Sequence, residues 1–168
     1  DELYSALRAL KPNAAPGKTG WSRELMLGAH TSALITETLL GLVNGIINDR
    51  VPQLQDLLLL AAGIAFQQDA KVRTCGMRDV FVKLAWRAAV MHTPLQHLFT
   101  DAQTMGRRKG SMTAARWAQA LVDEGNGMIF GDAINAHPGF CRHAARRVFE
   151  EHQLTSLYSI FNFTFGRA

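Results

Sequence analysis

Between Thr31 and Asn48 the apolar residues return at helical period, with Leu34, Ile35, Leu39, Leu42, Val43 and Ile46 on one broad face. A helix with so wide an apolar face gains its stability from packing, so it must be laid against other elements of the chain. Asn48-Asp49-Arg50-Val51-Pro52 ends it. The chain can supply what that face needs. It has 168 residues, 48% of them hydrophobic and 19% charged, which suits one folded domain over 1–168 and argues against disorder.

The flanking segments read as further helices with a few short strands. Leu3, Leu7 and Leu10 have the spacing of a short helix, and Lys11 to Gly20, broken by two prolines and two glycines, is a loop. Ser22 offers an N-cap for a helix from Arg23, with Glu24 favourable in its first turn. Leu57 to Phe66 is an apolar run that periodicity leaves open between strand and helix. Val72 to Gly76 reads as extended, Arg78 to Met91 and Ser111 to Glu124 as helices, and Gly125-Asn126-Gly127 as a turn. Met128 to Gly131 reads as a buried strand ending at Asp132. A helix from Gly139 to Gln153 and the apolar segment Leu157 to Phe165 follow. The expected class is α+β, helix-rich.

Eighteen basic against fourteen acidic residues give a net charge of +4, a balance that permits contact with nucleic acid or an acidic partner without requiring either. Cys75 and Cys141 are too few for a disulfide framework, and reduced cysteines point to an intracellular protein. The Leu57–Phe66 run is about half of the ~20 residues a membrane span needs, so no span is expected. A first residue of Asp is what a processed chain, a removed mitochondrial presequence included, or a trimmed one would show, so the expected localisation is intracellular with mitochondrial as one candidate compartment.

Four segments, in order, resemble the reverse transcriptases of non-LTR retroelements. Ala15-Pro16-Gly17-Lys18-Thr19-Gly20-Trp21 is similar to that family's Ala-Pro-Gly-Pro-(Ser/Asp)-Gly-Trp loop. Val72-Arg73-Thr74-Cys75-Gly76 with Val80 to Leu84 resembles its Arg-Pro-Ile strand and following helix. Met105 to Ser111 is similar to its glycine loop, and Asp132-Ala133-Ile134-Asn135-Ala136-His137 to its first catalytic motif. The resemblance implies a partial right-hand polymerase, fingers plus the first part of the palm, with motif C and the thumb absent.

It also implies roles. Asp132 would be the first metal carboxylate or its vestige, and the metal site if there is one. Arg73, Lys71 and His137 would contact nucleotide and phosphate, and Arg107, Arg108 and Lys109 would grip nucleic acid. Two-metal chemistry needs converging carboxylates, and the sequence stops at Ala168 without the x-x-Asp-Asp that would supply the others. The expectation is therefore a catalytically inactive, reverse-transcriptase-derived pseudoenzyme. It would serve as a structural subunit of an organellar or ribonucleoprotein complex, with no cofactor, and Mg2+ only if polymerase activity is retained. Two alternatives stand beside it: the front part of an active RNA-directed DNA polymerase, and a non-catalytic nucleic-acid-binding module. The aromatic segment Leu157–Phe165 would lie exposed without the rest of a palm, so a protein partner covering it is expected, with RNA as a further candidate partner.

Each signal has a plainer reading. Asp132 can be a helix cap, and Lys71 and Arg73 solvated turn residues. Arg146 and Arg147, each four residues before a glutamate, can form intrahelical pairs with Glu150 and Glu151. His137, Cys141 and His143 lack the fourth ligand a structural zinc site wants.

Overall fold

The helix demanded by the apolar period is present, but only part of its apolar face is covered. In a computed structural model, which describes residues 2–60, 62–68, 71–95, 98, 110–126 and 141–166, that helix runs over Ala33–Ile47. Leu39, Val43 and Ile46 are buried, whereas Leu34 near its start is 74% exposed. Before it come α1 (Glu2–Arg8) and α2 (Arg23–Ala29), so Ala33–Ile47 is α3. Ser22 caps α2 as its side chain accepts from the Leu25 N–H at 3.2 Å, satisfying one of the first-turn donors.

After α3, a 3-10 turn (Pro52–Leu54) leads into α4 (Gln55–Leu59). The ambiguous apolar run divides here. Leu57 to Leu59 finish α4, and Ala62–Gln68 is strand β1, paired antiparallel with β2 (Lys71–Met77) in the register Ala62↔Met77 to Gln68↔Lys71. Helix α5 (Val80–His92) follows, then α6 (Gly110–Asp123), α7 (Arg142–Glu151) and α8 (Thr155–Phe165).

The chain divides into two compact units, one of Asp1–Thr93 with Arg142–Ala168 and one of Pro94–Cys141. In the first, α5 is the axis of the core. Its Val80, Phe81, Val82, Leu84, Ala85 and Ala89 are buried, and it packs against α1, α3, α4 and α8. The second unit carries α6, whose end is set by Gly125 at φ +80°. There the Asn126 N–H reaches the Leu121 carbonyl and the Gly125 N–H reaches that of Val122, so two orphan carbonyls are satisfied. The same closure ends α3, at Asp49 (φ +53°), and α7, at Gln153 (φ +54°).

Two expectations are corrected here. The first is the α+β right-hand polymerase. Among the described residues every strand belongs to one two-stranded hairpin, and everything else regular is helix; fingers and palm require a β-sheet core, which is absent. The Met128–Gly131 strand lies outside the described residues. The reason for the mismatch is local. The segments carrying the resemblance are short glycine-, proline- and cap-rich pieces, and that chemistry marks where a chain turns, not which sheet it joins.

The second correction concerns Leu157–Phe165. This segment is α8, and it is core. Leu157, Ile160, Phe161 and Phe163 are buried, with Ile160 and Phe163 at 0% exposure. α8 packs against α3, α5 and α7, so apolar residues on both of its sides find cover within this chain. Phe161 meets Phe149 of α7 edge-on at 5.4 Å and Phe165 at 4.9 Å. The Trp86 indole donates to the Thr164 hydroxyl at 3.0 Å, and the buried Gln55 amide donates to the Phe163 carbonyl. No partner is needed to cover this segment.

Candidate partner-docking site

Asp79 organises one end of the first unit. It is fully buried and stands at the N-cap of α5, where its Oδ1 accepts from the Phe81 N–H at 3.1 Å. Its Oδ2 accepts from the Thr19 hydroxyl at 2.6 Å and the Thr19 N–H at 3.2 Å. A buried carboxylate is tolerated only when its oxygens are bonded in this way. The result is that the Lys11–Gly20 loop is clamped onto the start of α5. Gly17 passes so close that a Cβ there would lie 2.5 Å from the Asp79 Cα, which excludes any side chain.

The clamp brings Trp21 against Phe81, ring centroids 5.8 Å apart, and opens a pocket of about 240 Å³ beside them. Leu10, Ala14, Trp21 and Val80 give it an apolar lining. Three cations, Lys11, Arg23 and Lys83, border it. Arg23 is occupied structurally: its guanidinium donates to the Leu7 and Arg8 carbonyls at 3.2 and 3.3 Å, closing the end of α1, and pairs with Glu24 at 3.3 Å. Lys11 and Lys83 make no ion pair among the described residues.

Glu24 ties the other side of the loop, accepting from the Asn13 N–H at 3.0 Å. That bond, then its own backbone N–H and the neighbouring Arg23 outweigh desolvation and hold the Glu24 carboxyl below its ordinary value of 4.5. A carboxyl depressed by folding adds stability that is present above the unfolded value and lost as pH falls through the folded one. Glu24→Gln should therefore shrink the difference in urea stability between about pH 7 and about pH 3. An unchanged difference would place the acid sensitivity elsewhere.

Of the site residues expected from the sequence, only Lys71 and Arg73 fall among the described residues. Asp132, His137, Arg107, Arg108 and Lys109 lie outside the described residues. Lys71 and Arg73 stand in β2, with backbone partners Gln68 and Phe66. Among the described residues no three of His, Cys, Asp and Glu are grouped to hold a metal ion, and no helix is long and apolar enough to cross a membrane. The basic cluster of α7 separates. Arg147 pairs with Glu151 at 3.3 Å as its spacing suggests, Arg142 lies over the Phe165 ring at 5.6 Å, and Arg146 makes no ion pair among the described residues.

In the sequence Trp21 stands out only as the end of the Ala15–Trp21 loop, and Lys11, Asp79 and Lys83 carry no functional signal. An Asp just before an apolar helical run is a readable cap. Its second partner, Thr19, lies sixty residues earlier, and nothing local announces it.

No family model, curated protein or solved structure matches this chain. The reading of the chain as a domesticated reverse-transcriptase remnant, inactive or active, is thereby overturned along with its polymerase fold. The nucleic-acid-binding alternative loses the framework that placed its grip residues.

Proposed function

We propose that this helical domain is a non-catalytic, intracellular protein-docking module that receives an acidic partner segment in the Trp21 pocket. The observation that carries the reading is the juxtaposition of an apolar lining with two lysines that have no acidic partner of their own among the described residues. A pocket of about 240 Å³ takes one or two apolar side chains, and cations at its border favour carboxylates beside that anchor. An aromatic floor held by a buried clamp limits the ordering cost of binding. Docking of this kind asks for no cofactor.

The probe is a blocked peptide with Leu-Phe flanked by glutamates, titrated against the labelled protein with the Trp21 indole and Lys83 amide resonances followed by NMR. Saturable shifts are expected, weakened by about tenfold in the double variant Lys11→Glu, Lys83→Glu, and weakened by added salt. Equal binding of the lysine-flanked counterpart, or shifts that do not reach Trp21, would remove the proposal.

A further inference from the structure

A separate cleft of about 570 Å³ opens in the first unit between the end of α3, the start of α4, α7 and α8. Asp49, Gln55, Arg146, Tyr158 and Asn162 line it. Two features single it out. The Arg146 Nε is buried and has no hydrogen-bond partner among the described residues, so the fold leaves this guanidinium incompletely satisfied. The i,i+4 partner Glu150 does not take it, since Arg146 forms no ion pair among the described residues, whereas Arg147 beside it does.

Asp49 lines the same cleft. The α3 closure fixes it at φ +53°, with its N–H on the Ile46 carbonyl at 3.2 Å. Its carboxylate is in no ion pair among the described residues either, and the two opposite charges do not meet each other within 4.0 Å. A cleft holding one guanidinium and one carboxylate that do not neutralise each other is suited to a ligand carrying both complements. Arg146 lines the cleft, and its planar guanidinium carries the paired N–H groups that match a carboxylate bidentately. Asp49 supplies an acceptor for an ammonium group. Tyr158 and Asn162 line the space that a side chain would enter, and the volume falls within the range of small-ligand pockets.

We infer that this cleft is a binding site for a small zwitterion of the α-amino-acid class, its carboxylate on Arg146 and its ammonium toward Asp49. A plain anion fits less well, because Asp49 lines the same space.

The test uses the whole chain and follows the Arg146 Nε–H resonance by NMR during titration with free leucine, and in parallel with acetate and inorganic phosphate. Leucine is expected to give a saturable shift that neither anion matches. Arg146→Lys keeps the charge but loses the planar guanidinium fork. Asp49→Asn keeps a residue that tolerates the left-handed backbone. Because that position was read from the wild-type Arg146 signal, Asn162 side-chain amide shifts report binding in both variants. Each should weaken leucine about ten- to a hundredfold, the range for loss of a charge-assisted contact. Circular dichroism melts check that both remain folded. No saturable shift with leucine overturns the inference. So does acetate or phosphate binding as tightly as leucine with Asp49→Asn indifferent, since the site would then be for simple anions.

Discussion

Phe163→Ala should cost the domain about 3–5 kcal/mol, the largest loss expected from a single truncation among the described residues. Phe163 is the bulkiest of the fully buried side chains, at 0% exposure. It sits on α8, which packs against α3, α5 and α7, so the void left by its ring would be walled by several helices that cannot all close on it. Its carbonyl is held by the Gln55 amide, which limits how far the α8 backbone can shift to fill the space. Set against a typical total of about 5–15 kcal/mol, the variant should be near its unfolding limit at room temperature. Urea unfolding followed by far-UV circular dichroism reads this directly. The result also separates the two views of the C-terminal segment. If that segment were a partner-covered surface, truncating Phe163 in the isolated chain would cost well under about 1 kcal/mol.

Asp79→Ala is the second large effect, about 2–4 kcal/mol. The substitution removes the α5 cap and leaves the Phe81 N–H, the Thr19 N–H and the Thr19 hydroxyl without their acceptor. Two consequences differ in kind. The loss of the cap loosens the start of α5, which is a local helix effect. The loss of the Thr19 bonds frees the Lys11–Gly20 loop, which carries Trp21 away from Phe81 and dissolves the docking pocket. Thr19→Val removes the 2.6 Å bond while keeping the cap, so it should cost about 1–2 kcal/mol and still abolish glutamate-peptide binding. If Thr19→Val bound the peptide normally, the clamp would be structural only and the pocket would owe its shape to other contacts.

Several elements were legible in the order of residues alone, because the forces that define them are local. The Ser22 cap, the helix over Ala33–Ile47 and the helix from Val80 follow from capping chemistry and from apolar spacing, which act within a few residues. The three left-handed helix closures were only partly so. Gly125 was readable as a turn, but Asp49 and Gln153 are not glycines, and a non-glycine residue at positive φ is uncommon, above all a Gln. The resemblance to a polymerase failed for the complementary reason. Its motifs were loop and cap signatures, and these say where a chain bends without saying how many strands will pair.

Local sequence by itself thus determined a helix-rich chain with an apolar α3 and an aromatic last segment that must be covered. Only the tertiary structure decided what covers them. Phe163 is enclosed by helices drawn from distant parts of the chain, and Asp79 finds Thr19 across sixty residues. Tertiary packing likewise took Arg146 away from Glu150 and set it in a cleft with Asp49. Such pairings are free-energy balances between burial, desolvation and chain entropy over the whole unit. No window of neighbouring residues contains those terms.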